Sequence, residues 1–248
     1  MVMAGTFLLL SLYLQMVQGF SPLKAGLGLV PMNVAMAVAS NVTPHLAIRS
    51  RPANLVAAGL VIAAAGLLMI TQVESAGSLP VLMVGFTLAS VGIAVPSVIG
   101  IGLIMGSVPP EKAGSASGIS ETSGEFGIAL GVATIGSLAG AVYRNQFSAP
   151  SGVPGDLADA ARESIVGAVT ASSSLPAGTG GELLASAGDA FTTGLNLAGG
   201  FGAALFLAMA VVAVSMLRGV GEDRSKVAVR QPRDQPSDHL GVPEAKCG

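Results

Sequence analysis

Residues 118–144 read GISETSGEFGIALGVATIGSLAGAVYR. From Phe126 to Tyr143 the run carries no charged residue. That length approaches the roughly 20 apolar residues that carry a helix across a ~30 Å hydrocarbon core. Two acids, Glu121 and Glu125, stand one helical turn apart where the run begins. Comparable apolar runs recur on both sides of it. They predict spans over Val2–Phe20, Gly26–Leu46, Ala53–Val73, Leu79–Val108, Ala116–Tyr143 and Phe191–Leu217. The chain of 248 residues is 51% hydrophobic and 10% charged, with a mean hydropathy of +0.71. Soluble domains carry about a quarter charged residues. The expectation is an all-α integral membrane protein with six transmembrane helices.

The first run is expected to be a span and not a cleaved leader. It has no basic n-region, and Gln15, Gln18 and Gly19 at its end do not form a small-residue cleavage site. Orientation follows from Lys and Arg. An even number of spans puts both termini on one side. That side collects nine of the 12 basic residues, namely Arg49, Arg51, Lys112, Arg218, Arg224, Lys226, Arg230, Arg233 and Lys246. Lys24, Arg144 and Arg162 fall on the other. The reading is a multi-pass protein of the plasma (inner) membrane with both termini cytoplasmic. The six-helix unit covers 1–217 and includes an extracytoplasmic loop, 144–190. Within that loop Asp156 is placed to cap a short helix, and GGELLASAGDAF leads into the last span. Residues 218–248 are polar, mixed in charge and proline-bearing, and are expected to be a disordered cytoplasmic tail.

On a helical wheel the fifth span has distinct faces. Gly114, Gly118, Glu121, Glu125 and Val132 share one stripe. Gly124, Gly127 and Gly131 share a second, and Ile119, Phe126 and Leu130 a third. GIALG (127–131) and GSLAG (136–140) are small-xxx-small patterns that let helix backbones approach. The bulky face is expected against lipid, the glycine face against a neighbouring helix and the acid face in a cavity. A charge at membrane depth costs at least ~2.5–3.5 kcal/mol, so such residues are functional candidates by default. An acid there can load and release a proton or attract a cation. The competing expectation places both glutamates in water at the membrane interface, favouring the positive end of the helix dipole.

Other polar groups lie inside the predicted spans. Ser11, Gln15 and Gln18 share one face of the first, and Asn33 and Ser40 one face of the second. They are expected either to line a cavity or to make interhelical hydrogen bonds worth ~0.6–2 kcal/mol each. Pro31 and Pro96 are expected to kink their spans. The chain has one cysteine, Cys247, and two histidines far apart, His45 and His239. With no phosphate loop, metal spacing or nucleophile–base set, no enzyme, metal site or cofactor is expected. A net charge of -2 gives no reason to expect a nucleic-acid partner.

Three stretches resemble a known family. They are LYLQMVQGFSPLKAGLGLVPM (12–32), VPPEKAGSASGISETSGEFGIALGVATIGSLAGAVYR (108–144) and AFTTGLNLAGGFGAALFLAMAVV (190–212). The chain resembles the C-terminal half of a major facilitator superfamily transporter. The branch is the fourteen-span drug:proton antiporters, which includes quaternary-ammonium and methyl-viologen exporters. The resemblance implies one half of the bundle, built as a 3+3 inverted repeat, with a substrate site completed by an N-terminal half. It implies a proton-coupled multidrug exporter of amphipathic, often cationic compounds. Glu121 and Glu125 fall where several cation exporters of the branch carry acids implicated in proton coupling or drug recognition. The loop around Arg49 and Arg51 lacks the family's Asp-Arg pair, and the second span has Asn33 where some members carry an acid. The competing expectation is a truncated, non-transporting membrane remnant, or a subunit that needs a partner half.

Overall fold

A computed structural model describes residues 1–73 and 79–229. Helices dominate the described residues, with no strand among them. Helix α1 (Val2–Leu12) widens at its end into a π-helical turn, Tyr13–Val17. Then follow α2 (Pro22–Gly28), α3 (Val30–Arg49), α4 (Pro52–Ile70), α5 (Leu79–Gly106) and α6 (Ala113–Gln146). Two short helices, α7 (Gly155–Glu163) and α8 (Ile165–Ser172), precede the long α9 (Ala177–Val229). Five helical stretches are long and apolar enough to cross a membrane: Pro22–Arg49, Pro52–Ile70, Leu79–Gly106, Pro110–Gln146 and Ala177–Ser215. The first expected span is shorter, an apolar helix over Val2–Val17.

Local chemistry sets most helix starts. Pro22 and Pro52 sit in first turns, where a missing N–H costs nothing. Ser21 Oγ accepts from Lys24 N at 3.3 Å and caps α2. Pro31 also falls in a first turn, that of α3, so the second span breaks at Leu29 and restarts there. Pro96 lies inside α5 as expected, and Pro44 inside α3. Asp156 lies in the first turn of α7 and favours its dipole, while the capping position is Pro154 and no side chain caps it. Ser164 is the residue that caps, accepting from Gly167 N at 3.1 Å at the start of α8. GGELLASAGDAF is no separate element. It is the beginning of α9, which starts well before Phe191 and runs on to Val229. The rest of the expected tail, 230–248, lies outside the described residues.

Number the spans I to VI, with I as α1, II as α2–α3, III as α4, IV as α5, V as α6 and VI as α9. Span I packs on V, II on IV and III on VI. Exchanging the first three for the last three turns the I–V contact into IV–II and leaves III–VI unchanged. That is the pairing an inverted 3+3 repeat requires. The symmetry is incomplete, because α4 also packs extensively on α5 while α9 touches α1 only lightly.

The α4–α5 seam rests on glycine. A Cβ on Gly59 would lie 2.7 Å from the Gly92 carbonyl oxygen, and one on Gly85 2.8 Å from that of Gly66. Gly66 and Gly92 face backbone atoms of Ala89 and Ala63 just as closely. These glycines are spaced by seven on each helix, so one face repeats every two turns and the two backbones touch along it. A second close approach joins α1 to α6, where Gly5 meets Ile135 and the Gly131 carbonyl, and Gly131 meets the Met1 backbone.

The connection from α6 to α9 folds into an end cap. Tyr143, buried on α6, donates its hydroxyl to the Ala161 carbonyl at 2.6 Å and stacks on buried Phe147 with ring centroids 5.8 Å apart. Ser186 Oγ donates to the Ser148 carbonyl at 2.7 Å. Ala161, Ile165, Ala168 and Ala171 bury the inner faces of α7 and α8, and α8 lies against α9.

Candidate functional site

Along α6 the two halves differ. In the second half Gly131, Ile135, Ala139 and Tyr143 are buried against α1, α9 and the cap. In the first half, 113–130, no residue is buried. Glu121 and Glu125 lie there, exposed, one turn apart on the same side. They form one wall of a cleft of about 410 Å³ between α5 and α6. Ser120, Gly124 and Ile128 complete that wall, and Pro96, Ser97, Gly100, Ile101 and Ile104 of α5 form the other.

The arrangement has a physical logic. Pro96 lies inside α5 and removes one backbone donor from it. The small residues Ser97, Gly100, Ser120 and Gly124 leave the space, and three isoleucines keep its rim apolar. Ser97 Oγ donates to the Ile93 carbonyl at 2.8 Å and so turns part of its polarity back into its own helix. No Lys, Arg or His lines the cleft. Two carboxylates are therefore its only charged groups, and they suit a proton or a cation.

The other candidates from the sequence lie elsewhere. Asn33 is exposed on α3 and donates its amide to the Leu29 carbonyl at 2.9 Å. Gln15 and Ser11 are half-buried, with the Gln15 amide 3.3 Å from the Ser11 carbonyl. Each bond runs to the residue four back in the same span, which satisfies the polar group without lining the carboxylate cleft. Gly124 faces the cleft, where an added Cβ would meet nothing within 4 Å, and Gly127 is almost as open. The glycine stripe thus divides, with Gly131 against α1 and Gly124 beside the acids. Sequence reading missed Pro96, Ser97 and Gly100 as partners of the glutamates. The signal was a proline followed by two small residues one helical turn apart in an apolar run.

One bond between elements involves a polar residue of the last span. Asn196 of α9 donates to the Val73 carbonyl at 2.9 Å, just past the end of α4. Its side-chain oxygen is buried and has no hydrogen-bond partner.

The sequence pattern of the Major Facilitator Superfamily matches residues 1–132. The chain belongs to this superfamily. Three relatives are drug-resistance or export proteins by name. The multidrug efflux pump LfrA of Mycolicibacterium smegmatis is 36% identical over 84% of this chain and 41% of its own length. The tetracenomycin C resistance and export protein of Streptomyces glaucescens is 27% identical over 89% of this chain and 42% of its own. The methyl viologen resistance protein SmvA of Salmonella typhimurium is 30% identical over 84% and 42%. This major facilitator chain therefore spans about two fifths of the length of the relatives it matches. The fold and the relatives agree on a multi-pass membrane protein of a drug-exporter family.

Proposed function

We propose that the chain forms the C-terminal half of a proton-coupled exporter of amphipathic, often cationic compounds, acting with an N-terminal half. The observation that carries this reading is the α5–α6 cleft, with two carboxylates on one wall and no cation to neutralise them. Helix length supports an intramembrane position. With the midpoint of α6 at the bilayer centre and ~1.5 Å per residue, Glu125 lies about 7 Å from the centre and Glu121 about 13 Å. Both are then within the ~15 Å half-thickness of the hydrocarbon. An exposed carboxylate pair at that depth needs a covering surface, because lipid tolerates charge poorly. A facing half-bundle supplies one and closes the cleft into a binding site.

In this mechanism Glu125 takes a proton from the outer side, which releases the bound cation outward, and gives it up on the inner side, which restores the affinity for the next. Glu121 attracts the cation to the same wall. The electrical driving force is ~2.3 kcal/mol per charge per 100 mV. In cells making the intact transporter, dissipating the proton gradient with a protonophore stops drug export. Export that continues undiminished overturns proton coupling.

The distribution of basic residues supports an orientation with Arg49, Arg51 and Lys112 on the cytoplasmic side of the plasma membrane and the cap outside it. A cysteine introduced at Arg144 then reacts with an impermeant maleimide in intact cells, and one at Arg49 reacts only after lysis. The reverse pattern overturns the orientation.

A further inference from the structure

Neither the glycine seam nor the carboxylate cleft accounts for Phe7 of α1. Its side chain is 40% exposed, yet its ring lies tilted against that of Phe86 of α5, with centroids 6.3 Å apart, and Phe86 is only 1% exposed. Val2, Gly5, Thr6, Leu9 and Leu10 form the buried side of α1. Ala4, Phe7, Leu8 and Ser11 are half-buried or exposed and recur at helical spacing, so they form its open side. Gly5 and the Met1 backbone meet α6, while Phe7 meets α5. At about 100° per residue, the open side spans the arc between those two contacts. It therefore fronts the gap between α5 and α6, which is also the gap that holds the carboxylates.

α5 carries this gap along its length. Phe86, Ile93, Ser97, Gly100 and Ile104 repeat at intervals of three, four and seven and so share one face. Ser97, Gly100 and Ile104 line the carboxylate cleft. Phe86 stands about 16 Å from Ser97 toward the start of the helix, given the rise per residue of an α-helix. Between the two levels the walls are apolar. Ile93 of α5 is half-buried there, and Ile128 and Val132 continue the side of α6 that carries Glu121 and Glu125. One end of this track thus has two carboxylates with no cation among their neighbours. The other end has an aromatic ring open on one side. A single molecule meets both ends only if a cationic head and an apolar body are joined at that separation. The open part of the Phe7 ring then leaves water against the far end of the body.

We propose that Phe7 is a specificity-determining residue, the seat for the far apolar end of an elongated amphipathic cation whose charged head lies at Glu121 and Glu125. This rests on the exporter reading above and narrows its substrates to cations whose apolar body extends about 16 Å from the charge. Phe86 fixes the ring of Phe7 from behind, and the carboxylates fix the head.

The test uses cells making the intact transporter. It reads how strongly two straight-chain cations, hexyltrimethylammonium and tetradecyltrimethylammonium, inhibit export of a fluorescent cation below lytic concentrations. Both heads suit the carboxylates, and only the longer chain reaches Phe7. Phe7→Ala is expected to weaken inhibition by the tetradecyl compound about fivefold or more and to change inhibition by the hexyl compound less than about twofold. A merely structural role lowers the amount of transporter or the rate of export and leaves the ratio of the two inhibitory concentrations where it was. Export with an unchanged ratio, or an equal loss for both compounds, overturns the seat and leaves the exporter reading standing. If parental cells export no fluorescent cation, the exporter reading falls and the seat falls with it. If Phe7→Ala does not reach the membrane, Phe7→Tyr replaces it. That variant keeps the ring on Phe86 and adds a hydroxyl, and the loss expected for the tetradecyl compound alone is about threefold. The same unchanged ratio overturns the seat.

Discussion

Glu125→Gln in the intact transporter is expected to lower drug export at least about tenfold, the equivalent of ~1.4 kcal/mol. It is also expected to flatten the dependence of export on external pH. Glutamine keeps the size and hydrogen-bonding capacity of glutamate and removes only the titrating proton and the charge. Its neighbours in the cleft, Gly124, Ile128, Pro96 and Ser97, have neither charge nor titrating group to replace them. Glu121 is the one other carboxylate on the wall, so Glu121→Gln should cost less, about threefold on the same scale. Its effect should fall on the apparent affinity for a cationic drug more than on the pH profile. The assay is efflux of a fluorescent cation from energised cells at several external pH values, with expression matched by blot. Full export with an unchanged pH profile in Glu125→Gln would remove it as the proton carrier. It would favour the reading in which both acids sit in interfacial water.

Gly66→Leu is expected to destabilise the bundle by about 3 kcal/mol, the upper end for overpacking a filled interface. The reason is what the new atoms would meet. A Cβ at Gly66 falls 2.5 Å from the Gly85 carbonyl oxygen and against the backbone of Ala89. Backbone cannot move aside as a flexible side chain can, so α4 and α5 must separate. Separation also exposes Leu82, Phe86 and Leu67, which are fully buried. Gly102→Leu, on α5 where an added Cβ meets nothing within 4 Å, is the matched control and should leave stability unchanged. The thermal midpoint of the detergent-purified chain reads both. Equal midpoints for the two variants would refute the account of the seam.

Membrane-length helices were legible in the sequence because hydropathy over some 20 residues is a local property. The second to sixth apolar runs each coincide with such a helix. Helix ends outside the membrane were less legible. Residues 177–190 are rich in glycine and small polar residues, and only their packing on α8 and the buried Leu183 and Ala187 explain why α9 begins there. Facing relations were least legible. A helical wheel sorts Gly124, Gly127 and Gly131 into one stripe, yet which of them meets a neighbour depends on where α1 crosses α6. The seven-residue spacing of Gly59 with Gly66 and Gly85 with Gly92 is in plain view, yet a search for GxxxG pairs overlooks it. The two glutamates were identifiable because charge inside an apolar run is costly and so conspicuous. Their opposite wall on α5 carries no charge, and its one local mark, Pro96 followed by the small residues Ser97 and Gly100, is far less conspicuous than a charge.

From Ala177 to Ser215 helix α9 is one uninterrupted rod of 39 residues. At ~1.5 Å per residue it is about 58 Å long, nearly twice the hydrocarbon thickness. Its first turns belong to the cap and its later ones to the bundle core, with no loop between them to absorb a bend. Whatever tilts the span therefore sweeps its far end through an arc, as the shaft of an oar moves the blade. A fluorophore on Leu184, exposed near that end, would turn a few degrees of tilt inside the bilayer into a displacement of several ångströms in water.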